Sequence, residues 1–83
     1  MKIDLAHFQE RIYHIIGIKN TEEIYLTGSY QTPKFAEQKF IGMKGWNSTL
    51  APQRRFDAFR LEAHDVLSNG DVEKVTILRE VSV

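Results

Sequence analysis

The chain has 83 residues, with 11 Lys and Arg balanced by 11 Asp and Glu, three His and no Cys. That length accommodates one domain, expected to span residues 1–83, whose single core withdraws only about 60 to 65 per cent of the unfolded chain's surface from water. The missing cysteines exclude disulfide staples, thiolate metal ligands and a cysteine nucleophile. No apolar run approaches the roughly 20 residues of a membrane-spanning helix, and Met1-Lys2-Ile3-Asp4 lacks the charged start and apolar centre of a signal peptide. A soluble, cytoplasmic protein with no membrane partner is the expectation.

Residues 4–17 carry a helical pattern. On a 3.6-residue period Leu5, Phe8, Ile12, Ile15 and Ile16 share one arc, with Asp4 as N-cap and Gly17 as C-cap. His7, Arg11 and His14 fall on the opposite face, which places both histidines in water. Lys19-Asn20-Thr21 breaks the pattern. Glu23 to Tyr30 then reads as a strand with Ile24, Leu26 and Tyr30 on one face, and Gly28 weakens it or marks a bulge.

Residues 33–44 suit helix and strand equally: Thr32-Pro33 is a good helix start, whereas Ile41-Gly42-Met43 fits a strand. Lys44 to Arg55 has no period of either kind and contains Gly45, Asn47, Ser48, Thr49 and Pro52, which predicts a long loop of the functional or mobile sort. Phe56 to Leu67 admits two readings. As a strand it turns Phe59, Leu61 and Ala63 inward and Arg60, Glu62 and His64 outward; as a helix it ends in a left-handed cap at Asn69-Gly70. Asn-Gly between apolar runs favours the hairpin. After it, Val75, Ile77, Val81 and Val83 alternate with Lys74, Thr76, Glu80 and Ser82, broken only at Leu78-Arg79, and this is the clearest strand in the chain. The expected fold is α+β: an N-terminal helix packed on a small antiparallel sheet of three to four strands, with a C-terminal hairpin around Asn69-Gly70.

Charge is unevenly distributed. Residues 1–30 hold three basic and four acidic side chains, residues 31–60 six and two, and residues 61–83 two and five. The basic middle also carries Phe35, Phe40, Trp46, Phe56 and Phe59. Lys44, Trp46, Arg54 and Arg55 on the predicted loop, with Lys34, Lys39 and Arg60 near it, are therefore the candidate binding residues: cations neutralise phosphate, and an indole stacks on a base or fills a pocket on a protein. The competing reading is that Trp46 caps the core while the charges solvate the loop. Gly42-Met43-Lys44-Gly45 has the G-x-x-G spacing of some RNA-binding modules, but Pro52 and the Asn-Ser-Thr run oppose the helix that should follow.

Catalytic signals are weak. His7 and His14 on one helix lie roughly 10 Å apart along its axis, too far to share a metal. His64 and Asp65 point to opposite faces of a strand, whereas Glu62 and His64 share one. Ser29 lacks the glycines of a nucleophile elbow, and Asn47-Ser48-Thr49 matches a glycosylation acceptor by pattern alone. No catalytic set, metal site or cofactor is indicated. The expectation is a small non-enzymatic regulatory or adaptor domain that binds another protein, including a second copy of itself as a homodimer through the C-terminal strand; the alternative is a nucleic-acid-binding domain using segment 34–60.

Overall fold

A computed structural model describes residues 9–26 and 30–83. Four strands form one antiparallel sheet in the order β2-β1-β3-β4: β1 is Gln9–Lys19, β2 Glu22–Tyr25, β3 Ala58–Leu67 and β4 Val72–Ser82. Between β2 and β3 the chain forms α1 (Pro33–Ile41), α2 (Met43–Ser48) and a 3-10 turn at Pro52–Arg54. The fold is α+β, but the expected N-terminal helix is wrong. From Gln9 onward its residues form the longer strand of the first hairpin, and the helical segment follows two strands instead of preceding them. Its Asp4 cap and His7 lie outside the described residues.

The physical reason lies in burial on both sides. β1 is an inner strand, so Tyr13 and Ile15 are buried on one face and Ile16 on the other. A strand apolar on both faces loses its alternation, and short apolar runs then mimic a helical stripe. The isoleucines, stiff at χ1, suit the pleated surface better than a helix. Gly17 caps nothing. It sits inside β1, where a Cβ would lie 2.6 Å from Phe56 Cδ1 and 2.9 Å from Leu26 Cδ1, so its missing side chain is the space that the Phe56 ring occupies.

Lys19-Asn20-Thr21 is the turn of the first hairpin. Asn20 and Thr21 adopt φ of 51° and 67°, the two left-handed residues of a type I′ turn. Asp57 holds it from outside, its Oδ2 accepting the Asn20 N–H at 2.9 Å while its own N–H donates to the Ile18 carbonyl at 2.7 Å. β2 is shorter than expected. Past Tyr25 the pairing continues through the Leu26 N–H to the Ile15 carbonyl at 3.0 Å and the Tyr13–Tyr30 bridge; the bulge expected at Gly28 lies outside the described residues.

The ambiguous 33–44 segment is helical. Pro33 opens it, and the Ala36 N–H bonds the Thr32 carbonyl at 3.2 Å. Gly42 takes a right-handed φ of −75°, so the chain bends into α2 and does not stop. The predicted 44–55 loop is thereby half helix. Ala36, Phe40, Met43 and Asn47 are buried at spacings of four, three and four, a single stripe running through the bend.

Phe56 to Leu67 resolves in favour of the hairpin. Within its turn Gly70 alone takes positive φ (92°), the Gly70 N–H donates to the Leu67 carbonyl at 2.9 Å, and Asn69 Oδ1 accepts the Asp71 N–H at 3.0 Å. The loop is thus a short turn closed by a left-handed glycine, and Asn69 stays outside the left-handed region. On β4 the break at Leu78-Arg79 is a bulge: Leu61 opposes Arg79 while Glu62 opposes Ile77. The bulge divides the expected apolar face. Val75 and Ile77 stand opposite His64 and Glu62, whereas Val81 opposes Phe59 and packs on the core.

The core lies between the sheet and the bent helix. Tyr13, Ile15, Phe59, Leu61 and Ala63 from β1 and β3 meet Ala36, Phe40 and Met43, with Leu26, Tyr30, Phe56 and Val81 at the margin. The other face of the sheet carries no helix among the described residues.

Candidate functional site

Structure separates the sequence-derived candidates. Trp46 on α2 is 42% exposed and stacks on Phe56, with centroids 6.1 Å apart at 28°, and more obliquely on Phe59 at 6.5 Å. It is therefore a partly open lid on the core, combining the two roles weighed for it. With Lys39, Gln38, Gly42, Met43 and Leu26 it borders a cavity of about 320 Å³. Lys44, on the other side of α2, borders a second cavity with Phe40, Ile41, Arg79, Glu80 and Val81.

The arginines diverge. Arg54 is exposed on the 3-10 turn. Arg55 folds back: its Nε donates to the Leu50 carbonyl at 2.9 Å and its Nη2 to the Ser48 carbonyl at 3.1 Å, so its charge serves carbonyls at the end of α2 and just past it. Arg60 leaves the group altogether. It alternates with the core residues Phe59 and Leu61 and projects from the opposite face of the sheet.

Asn47, singled out in sequence only as a glycosylation pattern, proves to be a structural residue. It is 1% exposed; its Oδ1 accepts the Phe56 N–H at 2.8 Å and its Nδ2 donates to the Phe56 carbonyl at 3.1 Å. The carboxamide imitates a strand partner for Phe56 and fastens α2 to the start of β3. Both of its polar atoms are engaged inside the fold, so it offers no acceptor for a sugar. The buried spacing from Met43 was the sequence signal that could have found it.

The densest polar chemistry stands on the open face. Arg60 ion-pairs with Glu23 of β2 and donates from Nε to Glu62 Oε2 at 2.6 Å. Glu62 Oε1 meets His64 Nε2 at 2.8 Å. The His64 ring lies 4.4 Å from that of His14, and Tyr25 stands edge-on to His14 at 5.4 Å and to His64 at 6.2 Å. His14 is thus packed among rings, not solvated as a helix face would have left it. Burial on its own would raise the Glu62 carboxyl, but hydrogen bonds from His64 and Arg60 outweigh it and hold the group below the usual carboxylate range. The hydrogen bond to Glu23 is the main cause that raises Arg60. His14 is pushed below its ordinary value by burial first and then by the charge of His64, with Glu62 opposing. On the helix side, Asp65 is lowered chiefly by its hydrogen bond from Arg11, Nε to Oδ1 at 2.8 Å.

Glu62 orients the His64 imidazole in the manner of a catalytic dyad, yet Arg60 occupies its second oxygen and the cavity beside Trp46 lies across the sheet. Among the described residues no group of three or more histidine, cysteine or acidic side chains is placed to hold a metal ion, and no helix is long and apolar enough to cross a membrane. Comparison with protein-family models, with curated proteins and with solved structures finds no match for this chain.

Proposed function

We propose that this chain is a small, non-enzymatic, cytoplasmic domain that acts by binding another protein, with β4 and the open face beside it as the binding surface. One observation carries the reading. Among the described residues β4 pairs with β3 alone; it spans eleven residues and leaves Val72, Val75, Ile77 and Leu78 each 44 to 56% exposed. An edge strand has a row of N–H and C=O groups that another strand can complete, and apolar side chains concentrated along it add the area that stabilises such pairing. Two register shifts, together with Lys74, Arg79 and Glu80, restrict which strand fits. A second copy related by a two-fold axis is the simplest partner, because each protomer then supplies the same edge. The nucleic-acid alternative has less support: Arg55 and Arg60 are engaged within the fold, and Arg60 projects from the face opposite Trp46.

Sedimentation over a range of concentrations, with pull-downs from the native lysate, tests the proposal on the wild type and on Val75→Glu/Ile77→Glu. Both residues are half-exposed, so the double substitution is expected to fold. Wild type is expected to self-associate or to retain a defined protein, and the substituted chain to lose that complex. A wild type that stays monomeric and retains no more protein than Val75→Glu/Ile77→Glu does overturns the reading. Added single- or double-stranded oligonucleotide at about 50 mM salt is expected to leave sedimentation unchanged.

A further inference from the structure

Two imidazoles touch on the open face, and every strand beside them contributes a neighbour. His14 of β1 and His64 of β3 have ring centroids 4.4 Å apart with planes at 54°. β3 adds Glu62 and Arg60, and β2 adds Tyr25 and Glu23. In the pairing register β4 sets Val75 and Ile77 opposite His64 and Glu62, and Glu80 opposite Arg60. Glu62, Glu23 and Arg60 together carry one net negative charge. A single imidazolium therefore neutralises the groups joined by hydrogen bonds, and a second puts two cationic rings in contact, Glu62 being already divided between His64 and Arg60.

We propose that this cluster is a pH-operated latch joining β1, β2 and β3: closed with at most one imidazole protonated, and opened when the second proton drives His14, and Tyr25 with it, away from His64. The setting suits the task. Glu62 and His64 are 5 and 9% exposed, so water screens the repulsion poorly. Its partners are fixed, since Arg60 ties the Glu62 carboxylate to β2 through Glu23. His14 sits below its ordinary value of 6.5, from burial and then from His64. A histidine so depressed binds fewer protons folded than unfolded. Its contribution to stability is complete above 6.5 and is lost as pH falls through the folded value.

The test follows the imidazole resonances of the full chain by NMR from about pH 8 to 5, assigned with single His→Gln variants, alongside thermal midpoints over the same range. The window ends above the ordinary carboxylate values, and its part below about pH 7 lies below the ordinary α-amino value, so losses in that part belong to histidine. His14 is expected to titrate below 6.5 in the wild type and to move upward in His64→Gln. The drop in thermal midpoint across the window should shrink to less than half in His14→Gln, a substitution that keeps the size and polarity of the ring's position without its proton. A wild-type His14 titrating at or above 6.5, a result that depends on no substitution folding correctly, overturns the latch. An undiminished drop in His14→Gln overturns it as well.

Discussion

The two faces of the sheet use the same strands for opposite purposes. Toward the bent helix, Tyr13, Ile15, Phe59, Leu61 and Ala63 are buried against apolar side chains and stabilise by area. One residue along in each strand, Arg60, Glu62 and His64 are held by charge and hydrogen bonds and His14 by ring contacts with His64 and Tyr25. A side-chain period of two lets adjacent residues serve unlike environments, so a segment such as Phe59-Arg60-Leu61-Glu62-Ala63-His64 builds a core and a polar network at once. The helix-side core should then be sensitive to volume, and the open face to protons.

Replacing Phe59, fully buried against both Trp46 and Phe56, with Ala should bring the largest loss, about 3 to 5 kcal/mol in urea unfolding. A cost under about 1 kcal/mol would mean that the helices do not hold the core. Asn47→Ala strands the N–H and carbonyl of Phe56 where Asn47 excluded water, and about 2 to 3 kcal/mol is expected in the same measurement. Gly17→Ala puts a methyl against the Phe56 ring at 2.6 Å; the ring has to move, at about 1 to 3 kcal/mol, with a change in Trp46 fluorescence as the stack shifts. The open face supplies the acid response. Glu62 lies below its ordinary 4.5, so its contribution is complete above that value and is lost as pH falls through the folded one, and Glu62→Gln should flatten the denaturation curve there. The smallest effect is a gain. Thr21→Gly relieves a β-branched residue at φ 67° and should raise stability by roughly 0.5 to 1 kcal/mol, visible as a higher urea midpoint.

Legibility of the fold followed the number of faces each element buries. β3 alternates from Phe59 to His64 and slips at Asp65-Val66, so the strand reading gave its inward and outward sets, because one face packs on helices and the other carries charge. β1 misled because it is apolar on both faces. The bend at Gly42 was hidden too, since a right-handed glycine continues a helix as readily as a left-handed one ends it. Among the site residues, Glu62 and His64 on a common face followed from spacing alone. The residues that meet His64 and Arg60, namely His14, Tyr25 and Glu23, come from strands 37 to 50 positions away, and strand order, not local pattern, brings them together.

By itself the sequence determined the β4 strand and favoured, without deciding, the C-terminal hairpin, since Asn69-Gly70 serves a hairpin turn and a helix cap alike. Once the segment is taken as a strand, the sequence also gives which residues of β3 share a face. Only the tertiary structure decided that Ile12 to Ile18 is strand, that Arg60 parts from Arg55 and Trp46, and that Leu78 is a bulge dividing β4 between two faces. Each of these depends on which strand lies alongside, and pairing across dozens of residues is set by the burial of whole surfaces and not by the propensity of any one segment.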